Sequence, residues 1–329
     1  MTDQTQHVLV LGGTGHIGAA IARHFATEGY VVKASGRCTR PRANLDGTDI
    51  AQLGGDDTAP ANLNAWSKDV DIIIDAATPY PLWRHGSNAR TVVRAARDRI
   101  SRIIALAQHR DAALVHISSF TTLPATGSIA ERLRISAIRG MHPYFEVKEV
   151  VEAEVLGALD GGLRGCVVNP SACFGPYDLK SPEQAFIPML VNGKVSGTVK
   201  HPMNVVDIRD VAACIAAAVR AGYLARRMPV FGHNIKVDDL TRYVCTIAGV
   251  TPPKMQAPML LGLAGAYWAE TAAAVAGRKS PWPSLPVLLT AAGRNMAPSA
   301  AQTALGLHVR PLGDTLNDAV AWYRQIGHC

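Results

Sequence analysis

The sequence predicts an α/β fold in which a doubly wound parallel sheet is followed by a smaller lobe. In the first half of the chain, short apolar runs rich in β-branched residues alternate with longer helical stretches, a pattern typical of a parallel sheet with helices on both faces. From residue 170 onward prolines and glycines become frequent and the strand signal weakens. We therefore predict a core over residues 1–170, which segments around 200–235 could join, and a lobe of loops and helices over residues 171–329.

Six runs have the length and composition of buried parallel strands: HVLVL, YVVKAS, DIAQL, DIIID, ALVHI and LRGCVV. Helical stretches over residues 17–28, 88–108 and 143–159 fill gaps between them. Their order along the chain gives the repeated β-α-β unit of a doubly wound sheet.

Composition excludes several classes of protein. The formal charge of +7 suits anionic ligands, but the 33 basic residues are scattered, so we expect no nucleic-acid partner. Six cysteines show neither CxxC pairing nor zinc-ligand spacing, which predicts free thiols and no metal site. The N-terminus MTDQTQHVLVLGG lacks the basic region of a signal peptide. We expect a cytoplasmic protein.

One long apolar stretch, residues 257–277, approaches the roughly 20 residues that cross a bilayer. Its alanines and glycines, and the carboxylate of Glu270 at its centre, favour a buried or surface-apolar helix over a transmembrane span. Contact of this stretch with a membrane interface remains open.

A glycine-rich turn follows the first predicted strand and opens a helix, spelled Gly12-Gly13-Thr14-Gly15-His16-Ile17-Gly18. Glycines let the backbone turn tightly and approach a pyrophosphate, which the N–H groups at the start of the helix can bind. Without its context the pattern would also fit an ordinary turn. Between a strand and a helix it predicts a dinucleotide site.

The second strand ends in Ser35-Gly36-Arg37, where a dinucleotide site for NAD(H) would carry an acidic residue. Arg37, with Arg40 and Arg42 close behind, can pair with a 2′-phosphate. The cofactor predicted is therefore NADP(H) rather than NAD(H). The alternative is a solvated basic loop.

Tyr144 and Lys148 are four residues apart in a predicted helix, which places them on one face. An ammonium near a phenol favours the phenolate, so the pair suits acid/base catalysis. Ser119, with Ser118 before it, follows the fifth strand at the edge where such sheets bind ligands. A surface pair and a capping serine are the plainer alternatives.

Together these motifs resemble the extended short-chain dehydrogenase/reductase family over nearly the whole chain, and most closely its dihydroflavonol reductase and 3β-hydroxysteroid dehydrogenase branch. The resemblance implies a Rossmann fold, with Tyr144 as general acid/base, Lys148 as its electrostatic partner and ribose anchor, and Ser119 as hydrogen-bond donor to the reacting oxygen. By the same resemblance the cofactor also contacts Asp56 and Asp57 after the third strand, Ala76, Ala77 and Thr78 after the fourth, and Pro170 and Ser171 beside the nicotinamide. The segments Val205 to Ala212 and Leu305 to Arg324 are similar to the family's lobe and C-terminus.

The sequence also departs from the family's pattern. Leu11 stands before the glycines where the family usually has Thr, and Asp75 stands where it commonly has His or Asn. Between Tyr144 and Lys148, Glu146 and Val147 replace smaller residues. These departures bear on the substrate more than on hydride chemistry. Because an unpaired buried charge is costly, we expect Asp75 to have a hydrogen-bond partner.

The resemblance implies hydride transfer between NADP(H) and a ketone, aldehyde or secondary alcohol of a mostly apolar small molecule, cyclic ones included. Tyr80, Trp83, His142 and Phe174 are the candidate substrate contacts, although aromatic packing or a structural histidine would explain each. Two rivals remain: a nucleotide-sugar epimerase or dehydratase with retained NAD, and a non-catalytic NADP(H)-sensing regulator. A monomer and a homodimer are both compatible with the sequence.

Overall fold

A seven-stranded parallel sheet organises the chain in the computed structural model, which describes residues 5–37, 42–84, 89–125, 127–280 and 282–329. Its first elements, in chain order, are β1 (His7–Leu11), α1 (His16–Thr27), β2 (Val31–Gly36), β3 (Ala51–Gly54), α2 (Pro60–Trp66), β4 (Ile72–Asp75), α3 (Ala89–His109), β5 (Ala113–Ile117), α4 (Ile129–Arg139), α5 (Pro143–Asp160) and β6 (Gly165–Pro170). Short 3₁₀ helices cover Ala43–Leu45 and Phe120–Thr122.

The remaining elements are β7 (Ala172–Phe174), α6 (Phe186–Val191), β8 (Gly197–Thr198), β9 (Pro202–Asp207), α7 (Ile208–Arg220), β10 (Arg227–Val230), β11 (His233–Lys236), α8 (Val237–Ala248), β12 (Met255–Gln256), α9 (Met259–Val275), α10 (Ser284–Ala291), α11 (Ala300–Ala304) and α12 (Leu312–Gln325).

The sheet has the strand order β10-β6-β5-β4-β1-β2-β3, and every neighbouring pair is parallel. The predicted fold class, a Rossmann-type α/β fold, is confirmed. All six predicted strands form, with ends shifted by no more than two residues. The strand order reverses between β1 and β4, which is where doubly wound sheets bind ligands.

Alternate residues of β1 face the two sides of the sheet and belong to different cores. Val8 and Val10 pack with α1 and α7, whereas Leu9 and Leu11 pack with α3 and α5. Both sides of the strand are thus buried, which explains its continuous apolar sequence.

The later part of the chain departs from the expected lobe of loops and helices, because it also contains strands. β11, β9 and β7 form a three-stranded sheet, and β12 pairs with β8. These strands are two to six residues long, so prolines and glycines beside them hid the signal. Two further late elements belong to the first core, since β10 pairs with β6 and α7 packs against α1.

The apolar stretch 257–277 forms α9, a helix of 17 residues. Across the described ranges, no helix is long and apolar enough to cross a membrane.

Candidate active site

The turn between β1 and α1 requires glycines for space and for conformation. Gly12 has a φ of +73°, a left-handed conformation that side chains disfavour. A Cβ at Gly13 would lie 2.6 Å from the Ala34 Cβ, and one at Gly18 would overlap the Gly12 carbonyl oxygen. The backbone of α1 can therefore lie close to the sheet edge.

Helix α1 begins at His16, and no side chain caps its N-terminus at Gly15. The backbone N–H groups of His16, Ile17 and Gly18 thus carry the partial positive charge that binds anions. Asn44 steadies the turn, since its Nδ2 donates to the carbonyl oxygens of Thr14 and Tyr177, at 3.1 Å each. Asn44 was not predicted from the sequence, because it belongs to no motif and its partners are distant in the chain.

The carboxyl end of β2 lies against the same turn. The Thr14 N–H donates to the Ser35 carbonyl oxygen at 3.4 Å, and a Cβ at Gly36 would overlap the Thr14 side chain. Arg37 follows directly and is exposed, and Arg42 is partly buried. Arg40 lies outside the described residues. Arg37 is thus available to a ligand at the end of β2.

The acidic residues after β3 differ in their partners. Asp56 is exposed and accepts hydrogen bonds from the N–H and hydroxyl of Thr58, which lower the pKa of its carboxyl. Asp57 accepts a 2.6 Å hydrogen bond from Arg99 Nη2. That bond ties the segment after β3 to helix α3.

Arg99 also binds Asp75 at the end of β4, which has the partner that the sequence analysis expected. Arg99 Nη2 lies 2.8 Å from Asp75 Oδ1, and His116 Nδ1 lies 3.0 Å from Oδ2. Burial alone would raise the pKa of the Asp75 carboxyl, but Arg99 and His116 outweigh it and hold that pKa well below its usual range. Asp75 is therefore an ionised structural group.

The segment after β4 adjoins the glycine turn. The Ala76 N–H donates to the Leu11 carbonyl oxygen at 2.9 Å, and a Cβ at Gly12 would lie 2.9 Å from both the Ala76 carbonyl oxygen and the Ala77 Cβ. Thr78 Oγ1 is buried and has no hydrogen-bond partner among the described residues. A buried hydroxyl of this kind is available to a ligand.

Tyr144, at the start of α5, is buried and meets both side chains that follow β5. Its phenol lies close enough to the Ser119 and Thr121 side chains for both to lower its pKa, and Thr121 Oγ1 donates to Ser119 Oγ at 3.0 Å. Burial raises the pKa of the Tyr144 phenol, and Ser119 and Thr121 offset part of that rise. Tyr144 and Ser119 thus lie close together, and Thr121, which was not predicted from the sequence, adjoins them.

Lys148 lies one helical turn after Tyr144 and is also buried. Its Nζ donates to the carbonyl oxygens of Ile117 at 3.1 Å and Ser118 at 3.5 Å. Burial lowers the pKa of the ammonium to about 8, although Asp75 and Glu152 raise it in part. The end of β5 thus fixes the position of Lys148.

Glu152, a further turn along α5, is a buried carboxylate at the centre of a hydrogen-bond network. Its Oε2 accepts from Ser118 Oγ, from Thr122 Oγ1 at 2.6 Å and from Asn169 Nδ2 at 2.8 Å. Its Oε1 accepts from Arg227 Nε at 2.7 Å. Glu152 was not predicted as a site residue, although four-residue steps from Tyr144 through Lys148 indicate that it shares their face of α5.

The end of β6 completes this edge. Pro170 closes the strand, and the Ser171 N–H donates to the Val230 carbonyl oxygen at 3.0 Å. Ser171 Oγ is buried without a hydrogen-bond partner in the described ranges. Cys173 is near enough to Tyr144 and Lys148 to influence their pKa values, and burial raises the pKa of its own thiol to about 12.

The four predicted substrate contacts fall into different surroundings. The Tyr80 ring packs edge-to-face on the Tyr144 ring at 5.2 Å, and Trp83 Nε1 donates to the Ser280 carbonyl oxygen at 2.9 Å. His142 is buried and caps α5. Phe174 packs on Phe186 at 6.1 Å, in the lobe core. Tyr80 and His142 are thus beside Tyr144, whereas Phe174 contributes to packing within the lobe.

The two ring nitrogens of His142 differ in hydrogen bonding. Its Nδ1 accepts a hydrogen bond from the Tyr144 N–H at 3.2 Å, so the proton of the neutral ring is on Nε2. Nε2 is buried and has no hydrogen-bond partner in the part of the chain that the structure describes. Burial lowers the pKa of His142 to about 4, with Glu270 raising and Arg84 lowering it. The ring is therefore a neutral donor near Tyr144.

A family model identifies the class of protein that this fold and site define. The model of the NAD dependent epimerase/dehydratase family matches residues 8–227. The chain belongs to this family, as the resemblance to extended short-chain dehydrogenases/reductases predicted. It is an enzyme of a family that binds a nicotinamide dinucleotide.

Individual proteins are similar to the chain over almost its full length. A protein of Synechocystis sp. provisionally named dihydroflavonol 4-reductase is 29% identical, covering 97% of this chain and 95% of that protein. Sterol demethylase protein B of Methylococcus capsulatus is 25% identical, covering 97% and 98%. The protein in the crystal structure of gox2253 is 28% identical in sequence and superimposes with a TM-score of 0.76. The match covers 98% of this chain and 99% of that chain.

The residues at the sheet edge fit a nicotinamide dinucleotide. Glycines at 12, 13 and 18 let the start of α1 lie close to the sheet edge, and that start carries no capping side chain. The hydroxyls of Thr78 and Ser171 are buried without partners among the described residues. Each of these features offers the cofactor a contact that the protein itself leaves unused.

Proposed function

We propose that the protein is an NADP(H)-dependent oxidoreductase acting on a ketone, aldehyde or secondary alcohol of a mostly apolar substrate, cyclic ones included. The observation that carries the proposal is the grouping of buried Tyr144, Ser119 and Lys148, in which Ser119 is near enough to lower the pKa of the Tyr144 phenol and Lys148 follows one turn further along α5. The nicotinamide, when bound, supplies or accepts the hydride. The side chains must then move one proton and hold the substrate oxygen.

Tyr144 is the proposed proton donor in the direction of reduction. Because burial raises the pKa of the phenol, the group keeps its proton at neutral pH until the substrate oxygen takes it. Ser119 would donate a second hydrogen bond to that oxygen, and Thr121 orients the Ser119 hydroxyl. The Lys148 ammonium stabilises the phenolate that remains and would also hold the nicotinamide ribose.

The cofactor site extends along the sheet edge from the glycine turn. Residues 12–18 would bind the pyrophosphate, Asp56 and Asp57 the adenine side, and residues 76–78 with Pro170 and Ser171 the remainder. Arg37 is exposed at the end of β2, where its guanidinium can pair with a 2′-phosphate and an acidic residue would repel it. This position supports NADP(H) over NAD(H).

The substrate would lie between Tyr144 and the lobe of residues 171–329. Tyr80 supplies an aromatic wall, because its ring contacts the Tyr144 ring. Trp83 and Phe174 would line more distant parts. The Nε2–H of His142 is the polar donor that such a pocket offers to a second oxygen of the substrate, since the protein leaves it unpaired among the described residues. The names of the two curated relatives also favour an apolar cyclic substrate.

The cofactor part of the proposal is tested by titrating NADPH and NADH against the wild type and Arg37→Asp, with tryptophan fluorescence as the readout. We expect NADPH to bind the wild type at least tenfold more tightly, and Arg37→Asp to abolish or reverse that preference because one charge-assisted contact contributes about 1.5–3 kcal/mol. Lys194→Asp, an exposed site beyond α6, is the charge-matched control. Equal affinities in the wild type would contradict the assignment.

The reaction class is tested by following NADPH consumption with aromatic, alicyclic and steroid-like ketones. Oxidation of NADPH coupled to alcohol formation is the expected result. Copurified NAD with substrate conversion and no net cofactor turnover would identify the epimerase or dehydratase instead. Cofactor binding without conversion of any carbonyl would favour the sensing regulator, although such a protein has no need of Ser119, Tyr144 and Lys148 together.

A further inference from the structure

Helix α9 exposes an apolar face to solvent. Its exposed residues follow one another at three- and four-residue steps, which places them on one side of the helix. Leu260 is 75% exposed, Trp268 77% and Val275 86%. We call this surface the α9 face: Leu260, Leu261, Ala264, Trp268, Ala272 and Val275.

The opposite side of α9 is attached to the protein by specific contacts. Glu270 is buried and accepts hydrogen bonds from the Arg84 N–H and from the backbone and hydroxyl of Ser284. The Tyr267 hydroxyl donates to the Met141 carbonyl oxygen at 2.7 Å. These contacts fix the orientation of α9. Because its Glu270 side faces inward, its apolar side faces solvent.

The charge of the chain segment that contains α9 is one-sided. From residue 240 to residue 313 Glu270 is the only carboxylate, and its side chain faces inward. Arg278 and Lys279, directly after the helix, are exposed, as is Lys254 before it. Trp282, which follows the two basic residues, is 62% exposed. An apolar stripe with tryptophans and flanking cations, and without exposed carboxylates, is typical of helices that lie in a membrane interface.

We propose that the α9 face docks on an anionic lipid surface, with the helix lying parallel to the bilayer. Leu260, Leu261 and Val275 enter the acyl boundary, and Trp268 lies at headgroup level. Arg278 and Lys279 pair with lipid phosphates. A second copy of the chain is the competing occupant, but two copies of this segment would bring cationic ends together without carboxylates to pair with them.

Docking by the α9 face would give an apolar substrate a route from the bilayer to the Tyr144 pocket. This consequence rests on the proposed function. The inner side of α9 holds Arg84, which follows Trp83, and Met141, which precedes His142. An apolar substrate dissolved in the bilayer would therefore meet the protein beside the Tyr144 pocket. Docking itself does not depend on this route or on the reaction.

Flotation with lipid vesicles tests the docking. Purified full-length protein is centrifuged with vesicles of phosphatidylcholine alone or mixed equally with phosphatidylglycerol, for the wild type and for the triple variant Leu260→Ser, Leu261→Ser, Trp268→Ser. The control variant Leu224→Ser, Tyr243→Ser removes exposed apolar side chains elsewhere. We expect the wild type and the control to float with the anionic vesicles, and the bound fraction of the triple variant to fall at least tenfold.

A charge variant, Arg278→Glu with Lys279→Glu, leaves the apolar residues in place and carries the test if the triple variant misfolds. It should lose the preference for anionic over neutral vesicles. Wild-type protein that stays in the aqueous fraction, or floats no less after these substitutions, would overturn the proposal. A wild-type dimer that the triple variant converts to monomer, without flotation of either, would assign the face to a second copy. Because no step uses substrate or cofactor, a failure here leaves the reaction assignment unaffected.

Discussion

Tyr144 combines two properties that a proton donor needs. It is buried, which keeps the proton on the phenol at neutral pH, and its hydroxyl already contacts the Ser119 side chain that would share the substrate oxygen. In the proposed mechanism Lys148 supplies a positive charge one helical turn away, and an ammonium favours the phenolate. The three side chains are therefore expected to contribute differently to binding and to chemistry.

Substitution of each residue should produce a defined order of effects. Tyr144→Phe should lower turnover by about two to four orders of magnitude, the usual contribution of general acid/base catalysis, with NADPH affinity nearly unchanged. Ser119→Ala should lower it less, since proton transfer survives the loss of one donor. Lys148→Met should weaken both cofactor affinity and turnover. Single-turnover hydride transfer measured beside cofactor titration checks the order. Wild-type rates in Tyr144→Phe would mean that the proton comes from elsewhere.

Lys148 also predicts the pH dependence of reduction. Burial lowers the pKa of its ammonium to about 8, so the charge is present below that pH and lost as the pH rises through it. We expect kcat/KM for carbonyl reduction to be constant near neutrality and to fall above about pH 8. Lys148→Arg, which keeps its charge, should remove this fall even if it lowers the rate. If kcat/KM depends on pH in the same way in both proteins, the fall above about pH 8 does not come from the titration of Lys148.

Among the secondary-structure elements, α5 does most to assemble the site. It presents Tyr144, Lys148 and Glu152 at four-residue intervals on one face. His142 caps its first turn, and the Glu152 network holds the ends of β5 and β6 against it. The proposed chemistry thus depends on a helix that is fixed at its N-terminus and again two turns later.

The Glu152 network should contribute to stability as well as to position. Glu152→Gln removes the charge that Arg227 pairs with and replaces an acceptor by a donor facing Ser118 and Asn169. We expect a loss of about 1–3 kcal/mol in the free energy of unfolding. Glu154→Gln, in the same helix and paired with Arg97 at the surface, should change it by about 0–1 kcal/mol. Urea denaturation of both variants measures the difference. Equal losses in the free energy of unfolding would show that the buried Glu152 network stabilises the protein no more than a surface ion pair does.

Elements with a strong local signal could be predicted from the sequence. The buried strands are continuous apolar runs, and the glycine turn is specified by steric limits at Gly13 and Gly18. Several of the site residues that escaped prediction depend on pairing between distant segments. The sequence indicates the face of α5 on which Glu152 lies, but not its partner Arg227, 75 residues away, nor that Arg99 bridges Asp57 and Asp75. Local patterns carry no information about such partners.

In the whole molecule, the first core includes residues beyond residue 170, within the segments around 200–235 that were expected to be able to join it. Ile208, Val211 and Ile215 of α7 and Met228 and Val230 of β10 belong to the same buried cluster as Val8 and Val10. At about 1.5–3 kcal/mol for each large side chain, these five contribute an amount comparable to the about 5–15 kcal/mol of a typical domain's stability. The boundary in sequence is therefore not a boundary in folding.

A fragment of residues 1–170 should consequently fail to fold by itself. It would expose the apolar side of α1 and leave β6 as an unpaired edge strand. We expect aggregation or a broad, non-cooperative thermal transition by circular dichroism, in contrast to a single transition for the whole chain. Cooperative melting of the fragment within a few degrees of the intact protein would instead establish two independent domains.

Because β10 follows β6 at a distance in the sequence, the ribosome synthesises β6 well before its neighbour in the sheet. Residue 170 leaves the peptidyl transferase centre 57 residues before the first residue of its neighbouring strand, a delay of roughly 3 to 11 seconds at about 5–20 residues per second. During that interval the nascent chain carries an open, apolar strand edge of the kind that aggregates. Fast translation between these two points, or a chaperone that covers the edge, would determine the yield of active protein.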